Sequence, residues 1–172
     1  MNALIKSASL VLASIILARF VLPPNITPIL AVAIFLPHIT ENKHLRLFLP
    51  VGILLVTDLF LGFYGMTMFF VYGTLLFIGI LSHALKNRSY LGILQNSVIS
   101  VLLWHLIVNL GVYLNQLGSI SLIQTYVQAI PFDFRLLLST VFFSTLFYGA
   151  LKLVHYFESH RYARRYKRPF SS

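Results

Sequence analysis

The feature that most constrains this chain is a succession of apolar stretches, each close to the length of a bilayer crossing, separated by short polar breaks. A spanning helix needs about twenty mostly apolar residues. Residues 3–22 qualify, and Pro23-Pro24-Asn25-Ile26-Thr27-Pro28 ends them. Further spans are predicted over 46–64, 67–85, 93–114 and 134–157. Between the 3–22 and 46–64 stretches lies Pro28 to Ile39, apolar but short. Composition agrees: 58% of residues are hydrophobic and 10% charged, whereas soluble domains average about 25% charged. The expectation is an all-α, polytopic membrane protein with a single transmembrane domain over 1–160 and a basic cytoplasmic tail over 161–172.

Charge placement decides how the short second segment is read. Lys and Arg concentrate on the cytoplasmic side of membrane proteins. If 28–39 crosses, the chain is a six-helix bundle with both termini cytoplasmic. Lys6, Lys43, Arg46, Lys86, Arg88, Lys152 and the tail then fall inside, and only Arg19 and Arg135 fall outside. If it is re-entrant, the basic loops scatter over both sides. The six-span reading is favoured, with neighbouring helices burying the ends of the short one. Ser119 to Ala129 reads as a short interfacial helix on the outer face between helices five and six, stopped by Pro131. Lys6 followed by an apolar run, with Ala31-Val32-Ala33 beyond it, imitates a signal peptide. The intervening prolines and later spans favour a retained first helix.

The net charge of +9 is local: five of the thirteen Lys and Arg lie in 161–168. A basic segment after an apolar helix is a topology anchor and meets anionic lipid, so nucleic acid is not expected as a partner. The chain has no cysteine, which removes disulfides, thiolate metal sites and cysteine nucleophiles. It carries no G-x-x-x-x-G-K-[ST], H-E-x-x-H or G-x-S-x-G. Its six histidines are scattered and its acids number four. No catalytic residue, metal site or cofactor is expected, and the chain is not read as an enzyme.

Ionisable groups inside a membrane are expensive and mark function or a structural pairing. Arg19, Asp58, Asn109, Asp133 and Arg135 fall in the outer half, with His105 and Tyr113 a turn either side of Asn109. That asymmetry predicts an outward-facing polar pocket under a lid of outer loops. The candidate ligand-binding residues are Asp58, Asn109, Arg19, Asn25, Thr27, Tyr64, Tyr72, His105 and Tyr126. All but Asn25 and Thr27 have a plain structural alternative. Arg19 and Asp58 brace two helices as an ion pair. His105 and Asn109 serve as interhelical hydrogen-bond glue. Phe63, Tyr64, Tyr72 and Tyr126 form an interfacial belt, and Trp104 is a core aromatic or a stacking platform. Small residues four apart, Ser9 with Ala13 and Ser14 with Ala18, allow close approach of a partner helix.

Several blocks resemble a known family. They are Pro23-Pro24-Asn25-Ile26-Thr27-Pro28, Thr57-Asp58-Leu59-Phe60-Leu61-Gly62-Phe63-Tyr64, Val71-Tyr72-Gly73, Asn109-Leu110-Gly111-Val112-Tyr113 and Tyr126-Val127-Gln128-Ala129-Ile130-Pro131-Phe132. In this order they resemble small, uncharacterised membrane proteins regarded as transporters, similar in turn to the substrate-binding S-components of energy-coupling-factor (ECF) vitamin transporters. The resemblance implies a six-helix bundle of the bacterial inner membrane with a pocket for a vitamin-like micronutrient. It also implies an ECF-type energising module, or self-association, as the way it works. It would place an acid early in the last helix, where this chain has Leu138-Ser139-Thr140. Solitary relatives that take up cobalamin use a cysteine near the cobalt, a route closed here. The alternative function is a non-transport scaffold that binds a partner protein or anionic lipid through the first helix and the basic tail.

Overall fold

A computed structural model describes residues 15–87, 89–117 and 119–166, with backbone alone at 155 and 158–166. Most of the expected first span, its small-residue pairs, Arg88 and residues 167–172 lie outside the described residues. Among the described residues the chain is helical, without strands. The elements are α1 (15–21), α2 (Ile29–Ile39), α3 (Lys43–Leu61), α4 (Thr67–Ala84), α5 (Tyr90–Asn115) and α6 (Leu122–Tyr166). α3, α4, α5 and the Leu122–Val154 part of α6 are long and apolar enough to cross a membrane.

Local chemistry sets the boundaries. Asn42 caps α3 by accepting hydrogen bonds from the amides of His44 and Leu45. Ser89 caps α5 by accepting from the Gly92 amide, the ordinary role of these residues at a first turn. α3 stops at Gly62, whose φ of 96° suits a residue without a Cβ.

The expected interfacial helix is not a separate element. α6 runs unbroken through Pro131. Its start is fixed by a reciprocal cap: the Ser121 amide donates to Gln124 Oε1 and the Gln124 amide donates to Ser121 Oγ. This is the capping-box arrangement. Proline removes one helical hydrogen bond and crowds the carbonyl four residues back. Here both sides of Pro131 are fastened to α5. Tyr126 donates to the Leu106 carbonyl at 2.6 Å before it, and Asp133 is held by Asn109 after it. Those contacts keep the two halves in one helix.

α2 has the expected short length, 11 residues, about 17 Å at helical rise. Every residue from Ile29 to Pro37 is buried, and the helix packs on α3, α4, α5 and α6. It leads from the end of the bundle where α3 meets α4 to the opposite end, where Glu41 pairs with Lys86. The outer surface is apolar, with Phe60 77% and Phe69 78% exposed. The interior carries buried Ser82, Asn96, Ser97, Ser100, Thr140 and Ser144 beside its Ile and Leu. That inversion suits a bundle whose outside faces lipid.

Candidate functional site

Two acids are brought to the same end of the bundle, and the fold treats them differently. Asp58 stands one turn before the end of α3 and is 1% exposed. Arg19 Nη2 of α1 donates to its Oδ1 at 3.0 Å. Tyr64 and Tyr72 donate their phenols to its Oδ2 at 2.9 and 2.8 Å. A buried carboxylate survives only when paired and hydrogen-bonded, and this one has three donors. Burial, and then the bond to Asp58, push the Tyr64 phenol above its usual value. The phenol therefore stays protonated and keeps donating.

Asp133 sits on α6 opposite His105 and Asn109 of α5. Its Oδ2 lies 2.7 Å from His105 Nδ1 and 2.8 Å from Asn109 Nδ2. The other hydrogen of the Asn109 amide goes to the His105 carbonyl at 2.9 Å. Both amide hydrogens are thus used, and His105 Nδ1 is assigned as a donor to the carboxylate. The His105 ring meets Tyr126 edge-on at 5.3 Å.

Between these clusters lies a cavity of about 650 Å³, within the range of small-molecule sites. The 23–28 loop forms one wall. Pro24 and Asn25 occupy the centre of a turn closed by the Ile26 amide donating to the Pro23 carbonyl. The Asn25 φ of 68° is the position at which a type II turn asks for Gly or Asn. Thr27 Oγ1 accepts from the Ile29 amide, and its carbonyl accepts from Ser139 Oγ of α6 at 3.1 Å. The loop is therefore held by its own turn and tied to α2 and α6 through Thr27.

The cavity is lined by Arg19, Asn25, Thr27, Tyr64 and Asn109 among the residues expected from sequence. Asp58, Tyr72, His105 and Tyr126 do not line it. Asp58 and His105 stand behind it as partners of groups that do, and Tyr72 and Tyr126 stand a step further back, against Asp58 and His105. The cavity also takes Trp104, Gln116, Thr125, Gln128, Phe132 and Asp133, which the sequence reading left out of the site. Asp133, Thr125 and Gln128 belong to α6, so their shared face becomes visible only once that helix is known to continue through Pro131. For Trp104 the platform reading gains a wall of the cavity.

The opposite end of the bundle is basic. Lys86 Nζ lies 2.7 Å from Glu41 and Arg46 3.6 Å from the same carboxylate. Arg46 Nη1 also lies 2.6 Å from His83 Nδ1. The bond from Lys86 and its charge hold the Glu41 carboxyl below its usual value.

No curated protein and no solved structure matches the chain. The model of one family of unknown function does match it, over residues 2–164. That span takes in α1 to α5, α6 up to residue 164 and every residue of the cavity, and the chain therefore belongs to the family of unknown function DUF6580.

Proposed function

We propose that this protein is a small-molecule uptake protein of the S-component kind, taking a vitamin-like micronutrient from outside the bacterial inner membrane. The observation that carries the reading is the cavity, closed by the 23–28 loop and lined by Arg19, Asn25, Thr27, Tyr64 and Asn109. Six spans with both termini cytoplasmic complete the proposal. In support, Arg46 and Lys86 gather with Glu41 at the end away from the cavity, where Lys43 opens α3. Lys152 joins them through Tyr148, whose ring packs on Tyr90 at the start of α5. Among the described Lys and Arg side chains only Arg19 and Arg135 stand at the cavity end. The positive-inside rule then turns the cavity outward.

In this reading Asp58 orders the site without touching the ligand, by holding Arg19 and Tyr64 in place. Asn109 does the same for Asp133 while also facing the cavity. The chain has no nucleotide-binding loop, so net uptake draws on a partner module, a second copy, an ion gradient or trapping inside the cell. Protein purified in mild detergent is expected to release a bound small molecule, identified by mass spectrometry. Cells carrying Asn109→Ala are expected to lose uptake of that compound. Full uptake by both Asn109→Ala and Asp58→Asn would overturn the residue assignments.

A further inference from the structure

The two acids beside the cavity are not equivalent electrostatically. Asp58 has its charge cancelled by Arg19 at 3.0 Å and is walled off by two phenols. Arg19 faces the cavity, but its charge is already matched. Asp133 lines the cavity itself. Its partners, His105 and Asn109, both hold Oδ2, and neither brings the fixed charge of a guanidinium. Among the described residues Oδ1 has no hydrogen-bond partner. Arg135, two residues on, is half-buried, donates to the Pro131 carbonyl, stacks over the Phe132 ring at 4.9 Å and does not line the cavity. Among the described residues the permanent charges next to the cavity are therefore one matched pair, Arg19 with Asp58, and Asp133, whose partner His105 brings a charge only when protonated.

A carboxylate that lines a mostly apolar cavity and is held in place by two donors on one oxygen is built to accept on the other. The strong partner for it is a charged nitrogen, because charge-assisted hydrogen bonds are about twice as strong as neutral ones. Trp104 lines the same cavity, and an aromatic face also attracts a cation. We propose that Asp133 is the recognition group of the cavity and that the ligand carries a cationic nitrogen, an ammonium or amidinium, on an aromatic or apolar body. This rests on the reading of the cavity as a ligand site and adds the chemical class of what enters it.

The test uses the only tryptophan of the chain. Trp104 emission reports on the cavity in the full-length protein in detergent. Benzylammonium, benzyl alcohol and benzoate have the same ring and differ in charge. Benzylammonium is expected to change Trp104 emission saturably and to bind at least about tenfold more tightly than benzoate, the size of one hydrogen bond to a charged group. Asp133→Asn is expected to bring benzylammonium down to the level of benzyl alcohol. Equal binding of the three probes to the unmodified protein, or a cation preference that survives in Asp133→Asn, overturns the role of Asp133 and leaves the cavity reading standing. No saturable change with any probe overturns both. The three-probe comparison in the unmodified protein decides the matter even where the variant does not fold.

Discussion

Arg19 of α1 and Asp58 of α3 form an ion pair at 3.0 Å in which the acid is 1% exposed and also accepts from two tyrosines. The pair joins the first helix to the rest of the bundle. Removing one partner leaves the other charge buried and uncompensated, which costs about 3–5 kcal/mol, whereas replacing both by apolar groups is often neutral. Arg19→Met is therefore expected to lower thermal stability in detergent sharply. Arg19→Met combined with Asp58→Leu is expected to lose less than the two single changes added together. Simple additivity in that cycle would show that the pair is not coupled.

The two phenols on Asp58 give a second expectation. Tyr72→Phe removes one donor to a buried carboxylate, worth about 1.5–3 kcal/mol, and leaves ring packing in place. For Tyr64 the effect depends on pH. Its phenol is raised in the folded protein by burial and by Asp58, so the folded state holds a proton that the unfolded chain releases near pH 10. The contribution is complete below that ordinary value and is lost as pH rises above it. Melting curves at increasing alkaline pH are expected to fall more steeply for the natural protein than for Tyr64→Phe.

The α4–α5 contact allows a repacking experiment. A Cβ on Gly111 would lie 2.5 Å from Phe70 Cγ, and Thr67 Oγ1 donates to the Gly111 carbonyl at the same crossing. Gly111→Ala is expected to destabilise the bundle by about 1–3 kcal/mol through overpacking. Trimming the ring, as Phe70→Leu, is expected to restore part of that loss in the double variant. A destabilisation that Phe70→Leu does not relieve would place the strain elsewhere.

The reciprocal cap at the start of α6 is testable by hydrogen exchange. Ser121→Ala removes the acceptor for the Gln124 amide, a change worth about 1 kcal/mol at an N-cap. Faster exchange is expected over residues 122–126, with the amides of α3 unchanged.

Orientation can be read from the native chain because it contains no cysteine. In Gln116→Cys the thiol, beside the cavity, is expected to react with a membrane-impermeant maleimide added outside intact cells. In Lys86→Cys it is expected to react only after the membrane is opened. The reverse pattern would turn the bundle over and the cavity with it.

Much of this arrangement was legible from residue type and spacing. Pro23-Pro24-Asn25 marks a turn and Gly62 a helix end by backbone chemistry alone, and both are present. The meeting of Arg19 with Asp58 followed from depth, since neither tolerates apolar surroundings unpaired. Tyr72 was less legible. Its position fits an interfacial belt equally well, and only the folding back of α4 on α3 brings its hydroxyl to Asp58. Pro131 misled because a proline is a local signal for a break, while the contacts that override it, Tyr126 to Leu106 and Asp133 to Asn109, join residues about twenty apart or more. The reciprocal Ser121 and Gln124 cap, by contrast, stands in the sequence as S-x-x-Q and marks where α6 begins.

α2 has a consequence for how the protein is made. Its nine residues from Ile29 to Pro37 are covered by protein on every side, and its length falls well short of the roughly twenty residues that a translocon passes sideways into lipid. It has no lipid-facing stripe of its own to settle on while the later helices are still being synthesised. In the six-span reading, integration of α2 is therefore expected to wait for α3 and α4, with the α2–α4 unit entering the bilayer as a block. A nascent chain truncated at residue 41 is expected to leave the segment unintegrated, and one extended through residue 87 to carry it in.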